Sequence, residues 1–105
     1  MDYIEFFYNR LTQLRLQKGV SSRDMSLSLG QSESYINKIE NKRTLPSFTG
    51  FIYICEYFGI TPKEFFNTNN TAPMKANKLL DEIQKLSPEQ SEHIMQIVKD
   101  LNNNK

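Results

Sequence analysis

An all-α fold is what this 105-residue sequence predicts: a five-helix domain followed by a C-terminal helical hairpin. Three observations carry the prediction. Apolar residues recur at spacings of three and four in successive segments, the period that lines one face of a helix. Serine or threonine precedes most of these segments, at Ser21, Ser32, Ser47, Thr61 and Ser87, where a side-chain oxygen satisfies the first free backbone N–H groups. Glycine closes three of them, at Gly19, Gly30 and Gly59.

Residues 3–18 read as one helix, with Ile4, Phe7, Leu11 and Leu14 as its core stripe. Tyr3, Phe6 and Arg10 form an adjacent stripe whose aromatics widen the core contact or meet a later segment. Ser21 or Ser22 then caps a helix of about two turns, with Asp24 near its positive end and Met25 and Leu29 four apart on one face. After Gly30, Ser32 caps a second short helix over 33–41. Ile36 and Ile39 face inward, while Glu33, Ser34, Asn37, Lys38 and Asn41 stay outside. Ser26, four before Gly30, is the small residue where these two helices meet.

The stretch from Asn41 to Ser47 is a turn-rich loop, and Ser47 caps a helix over 48–58. Phe48, Phe51, Ile54, Cys55 and Phe58 make its inner face. Ile52, Tyr53 and Tyr57 leave the other side more apolar than solvent requires, so they cover a neighbouring element or meet a partner. Thr61-Pro62-Lys63-Glu64 carries a capping box with proline at the first helical position, opening a short helix that buries Phe65.

Residues 67–72 are small and polar and read as a flexible linker. Two helices, 73–86 and 88–101, then meet at Ser87-Pro88, with Gln90 placed for a second capping box. Leu79, Leu80, Ile83 and Leu86, then Ile94, Ile97, Val98 and Leu101, form two narrow apolar stripes. A hairpin of this size cannot stand alone, so the stripes pack on the first domain or on a second copy, and dimerisation is the favoured reading. The expected organisation is therefore a domain over 1–66, a linker over 67–72, a hairpin over 73–101 and a frayed tail over 102–105.

Charge excludes little. Lys and Arg number 13 against 12 Asp and Glu, and 8 against 7 through residue 66, so any nucleic-acid binding must come from where charges sit. Cys55 is alone within an apolar run, which rules out an internal disulfide, fits a reducing compartment and reads as a small buried hydrophobe rather than a redox sensor. His93 is the sole histidine, so no zinc site is expected, and no other metal or cofactor is implied. No apolar run approaches about 18 residues, the length that spans a membrane, and a cytoplasmic location is expected. Nothing suggests an enzyme: no histidine adjoins a nucleophile, and there is no glycine-rich phosphate loop or placed carboxylate pair.

Ser26, Gly30, Ile36, Ile39 and Glu40, followed by Lys42-Arg43, Pro46-Ser47, Phe58-Gly59-Ile60 and Phe65, resemble the helix-turn-helix of transcriptional regulators of the phage repressor and Cro type, also called the xenobiotic-response-element type. The resemblance covers roughly residues 5–66 and implies a five-helix, lambda-repressor-like DNA-binding domain. It also implies a partly buried ion pair between Arg15 and Glu40. Lys42 departs from the family, which often has glycine there, so a different cap geometry is expected at that helix end; Ser26 stands where alanine is commoner, so its hydroxyl must bond locally.

With the helix 33–41 in the major groove, the base-contact candidates are Ser32, Glu33, Ser34, Asn37 and Lys38. Asn37 is the first choice, because one amide bonds adenine N6 and N7 together. Ser22, Arg23, Tyr35, Asn41, Lys42 and Arg43 are the phosphate candidates. The expected partner is double-stranded DNA, bound by a homodimeric repressor. The alternative is a protein-interaction module of the same fold, an antitoxin or anti-repressor acting through a protein partner.

Overall fold

The computed structural model describes residues 2–103, and within them the chain forms seven helices and no strand. They are α1 (Tyr3–Lys18), α2 (Ser22–Ser28), α3 (Tyr35–Glu40), α4 (Phe48–Phe58), α5 (Pro62–Phe65), α6 (Pro73–Gln84) and α7 (Pro88–Asn103). The chain divides into two units, the first running to Met74 and the second starting at Lys75.

Helix ends in the first unit follow local chemistry. Asp2 caps α1, its Oδ1 accepting from the N–H groups of Ile4 and Glu5. Ser21 caps α2, Ser47 caps α4, and Thr61 with Glu64 forms a complete capping box on α5. The core they enclose consists of Phe7, Tyr8, Leu11 and Leu14 of α1, Met25, Ile36 and Ile39 of α2 and α3, and Ile54, Cys55, Phe58, Ile60 and Phe65 beyond. Cys55 is buried, and burial, with Glu56 adding to it, pushes its thiol up to about 11, so little thiolate forms at neutral pH.

Two expected core residues lie outside. Phe48 is 80% exposed and Ile4 57% exposed. Phe48 is the first residue of α4 and overhangs a shallow apolar groove that Ile4, Tyr3, Leu45 and Phe51 also line, whereas Phe51, one turn on, makes edge contacts with Phe7 and Phe65. Tyr8 takes a place in the core that the spacing reading left out. The Tyr3 and Phe6 rings both pack on Phe66, the later segment that their stripe meets.

The third member of that stripe organises the end of the unit. The Arg10 guanidinium is buried and pairs with no carboxylate among the described residues. Its Nε donates to Phe65 O (2.9 Å), its Nη2 to Glu64 O (3.1 Å) and Asn70 O (2.6 Å), with Asn67 O at 3.5 Å, and its Nη1 to Gln13 Oε1 (2.9 Å). Burial lowers its pKa. Gln17 Nε2 adds a bond to Thr71 O (2.8 Å), Pro73 is buried, and Met74 packs against the core. The segment 67–72, expected as a flexible linker after a domain ending at 66, is thus held by backbone carbonyls, and the first unit extends eight residues further.

In the second unit, Ser87 and Gln90 form the reciprocal bonds of a capping box at the start of α7. Helix α6 stops at Gln84, two residues before its expected end, because Lys85 and Leu86 turn with tighter backbone bonds. Helix α7 continues through Asn103, so residues 102 and 103 of the expected tail are helical, while 104 and 105 lie outside the described residues. None of the described residues of α7 is buried, and Leu79, Leu80, Ile94, Ile97, Val98 and Leu101 are all exposed. His93 is exposed too.

Candidate nucleic-acid interface

Helices α2 and α3 end in the same way. At the end of α2, Gly30 takes φ 73°, Gly30 N–H bonds Leu27 O, and Gln31 N–H bonds Ser26 O, the paired bonds of a Schellman motif. At the end of α3, Lys42 N–H bonds Ile39 O and Arg43 N–H bonds Lys38 O, and Lys42 takes φ 63°. Lys42 is the sole non-glycine residue with positive φ among those described, which is why a glycine suits this position. Lys42→Gly is expected to be more stable than Lys42→Ala by about 1 kcal/mol in denaturant unfolding, since both lose the side chain and only alanine keeps the strain. Equal stabilities would show that the turn relaxes at no cost.

Helix α3 starts two residues later than the spacing predicts, at Tyr35 rather than Glu33. Ser32 does not cap it through its side chain; its backbone carbonyl accepts from Tyr35 N–H (3.1 Å) in a turn. Ser34 is the N-terminal flanking residue, yet makes no side-chain cap bond either. The cap comes from the preceding helix. Fully buried Ser26 donates its hydroxyl to Ser22 O (2.7 Å) and accepts from Ile36 N–H (2.9 Å), so one oxygen satisfies a free donor at the start of α3 and ties α2 to it. With Ile36 and Ile39 fully buried, this fixes which side of α3 faces out.

The outer side carries Asn37, Lys38 and Asn41, all exposed. Asn41 Nδ2 lies 2.9 Å from both the backbone oxygen and Oδ1 of Asn37. Ser32 and Glu33 are exposed and Ser34 half-buried, all three in the turn ahead of the helix. Glu33 Oε2 lies 3.1 Å from Arg23 Nε, which brings a base candidate and a phosphate candidate into one exposed ion pair. Ser22 is half-buried at the first position of α2. Lys42 Nζ is paired with Glu5, whereas Lys38 and Arg43 make no ion pair among the described residues.

Tyr35 is half-buried, and desolvation raises its pKa. A Cβ at Gly50 would sit 2.8 Å from its hydroxyl, so the glycine leaves room for Tyr35 over the first turn of α4. Behind α3, Arg15 grips Glu40 with two bonds, Nε to Oε2 (2.7 Å) and Nη2 to Oε1 (3.0 Å). Thr12 Oγ1 donates to the same carboxylate (2.8 Å), and Arg15 Nη1 reaches Val20 O (3.0 Å). The bond to Glu40 raises the Arg15 pKa, outweighing the opposing effect of burial. Both side chains are mostly covered, so the bidentate pair holds the C-terminal end of α3 to α1.

Among the described residues there is no cluster of three or more potential metal ligands, and no helix is long and apolar enough to cross a membrane. Residues 8–71 match the family model of the helix-turn-helix domain. No curated protein and no solved structure matches the chain. The match takes in both short helices, the crossing at Ser26, the Arg15–Glu40 pair and the segment that Arg10 holds, and the chain belongs to the helix-turn-helix domain family.

Proposed function

We propose that this chain is a sequence-specific DNA-binding transcriptional regulator of the phage repressor and Cro type, a dimeric repressor that reads the major groove with α3. The observation that carries the reading is the sidedness of α3: Ile36 and Ile39 are fully buried, the start of the helix is locked by Ser26, and Asn37 and Lys38 are exposed on the opposite side. A rigid short helix with amide and ammonium groups outward is what base-edge readout requires. Ser32, Glu33 and Ser34 supply further base contacts at its entry. Arg23 neutralises Glu33 and so lessens its repulsion from phosphate. Ser22, Arg23, Tyr35, Lys42 and Arg43 hold the backbone, the cationic three giving the salt dependence. The exposed apolar residues of α6 and α7 form the dimer contact, since large apolar surface left in water favours association.

Selection of the purified protein against a randomised duplex library, at low and moderate salt, tests this. The expected result is a two-fold symmetric site with half-sites about 34 Å apart, one helical turn. Asn37→Ala should lose about 1–3 kcal/mol of discrimination at one base pair of each half-site. Weak, unselective binding lost at moderate salt would overturn the regulator and favour the protein-interaction module. Enrichment of a lone asymmetric site would overturn the dimer.

A further inference from the structure

We infer that Asn41 is a positioning residue for Asn37, and that the two amides together, rather than Asn37 alone, set the base preference of α3; this rests on the DNA-reading function proposed above. Asn41 follows the last residue of α3, one turn beyond Asn37, and its backbone N–H already bonds Asn37 O (3.0 Å). Its side-chain Nδ2 then lies 2.9 Å from that same oxygen and 2.9 Å from Asn37 Oδ1. Both acceptors within hydrogen-bond distance of that amide nitrogen belong to Asn37. The amide is thus engaged with Asn37, where sequence alone assigns it to a phosphate oxygen.

The bond to Oδ1 has a chemical consequence. An unrestrained asparagine amide rotates about its last torsion and presents its oxygen and nitrogen in either order. Asn41 holds Oδ1 toward the end of the helix, leaving the Asn37 Nδ2 donors and the second lone pair of Oδ1 for a partner outside. That is the set adenine requires, one acceptor for its N6 amino group and one donor for N7, presented in a fixed order. A chain of two amides also polarises the outer one, strengthening its donors. Binding then freezes a side chain that is already held.

The experiment measures affinities of the wild type, Asn41→Ala, Asn37→Ala and the double variant for the duplex selected from the random library and for duplexes changed at each base pair in turn. Asn41→Ala is expected to lower discrimination by about three- to tenfold, the cost of immobilising one released side chain, at the position where Asn37→Ala acts. In the Asn37→Ala background the same change should have no further effect there, the signature of a residue acting through another. Asn41→Gln, which keeps the amide donors, should recover part of the discrimination. An equal loss on every duplex in both backgrounds would overturn the inference and make Asn41 a phosphate contact. A position-specific effect of Asn37→Ala without one of Asn41→Ala would overturn the inference alone, and absence of both would overturn the Asn37 readout with it.

Discussion

Replacing Arg10 with alanine is expected to destabilise the first unit by about 2–4 kcal/mol, the range for breaking a buried polar network. The guanidinium supplies donors to the carbonyls of Glu64, Phe65 and Asn70, with a weaker approach to Asn67. Glu64 and Phe65 end α5, where carbonyls fall beyond the regular helical ladder; Asn67 N–H also reaches Glu64 O (3.3 Å), and Arg10 adds its donors to both. Removing the side chain opens space beside acceptors that water must enter to satisfy. Arg10→Lys should recover little, because an ammonium on a longer stem cannot reproduce the planar fork that serves Phe65 and Asn70 together. Denaturant unfolding measures the loss, and hydrogen exchange over residues 66–72 localises it through faster exchange of the Ala72 amide, now bonded to Asn70 Oδ1. A loss below about 0.5 kcal/mol, the size of a surface substitution, would show that the carbonyls are equally well served by solvent.

Arg10 also marks a boundary of what sequence patterning can reach. Helices such as α1, α4 and α5 were legible because their signals are local: Ser47 and Thr61 bond backbone groups three residues away, and the glycines at 19 and 59 turn the chain where the periodicity stops. Arg10 bonds main-chain oxygens 54 to 60 residues downstream. A backbone carbonyl is present at every residue and leaves no compositional trace, so a buried arginine without an acidic partner reads as surface charge. The same blindness turned residues 67–72 into a linker. At the site, the outward positions of Asn37 and Lys38 were readable because Ile36 and Ile39 lie three apart. That Lys38 and Arg43 lack ionic partners among the described residues while Lys42 and Arg23 are paired was not, since Glu5 and Glu33 approach the latter two only once the chain is folded. At Lys42 the expectation fails: its departure from glycine pointed to a different cap at the end of α3, yet Lys42 itself adopts the left-handed conformation that glycine favours.

Ser26→Ala is expected to cost about 1–3 kcal/mol, although it substitutes the residue commoner in the resembled family and removes a single oxygen. That oxygen is fully buried, and it accepts from Ile36 N–H, which lies too near the start of α3 to bond within the helix. In many helices a serine just ahead of the first turn would take this role, and both Ser32 and Ser34 are present; neither caps α3 through its side chain. A cap delivered from α2 leaves that function to the helix crossing, so alanine there deprives a buried donor of its partner while the core keeps its shape. Loss of the Ser26 bond to Ser22 O is less costly, because that carbonyl also has a helical position in α2. Ser26→Thr would retain the hydroxyl but add a methyl group to a close-packed crossing, so it is expected to destabilise by overpacking, by about 1–3 kcal/mol. The two variants separate in hydrogen exchange: alanine should expose the Ile36 amide selectively, and threonine should loosen α2 and α3 together. If Ser26→Ala leaves both stability and Ile36 exchange unchanged, the donor has found another acceptor, with Ser32 and Ser34 the nearest serines in the chain. Because α3 is only six residues long, a loosened start also reaches Asn37 within one turn, and Ser26→Ala should blunt sequence discrimination even where the protein remains folded.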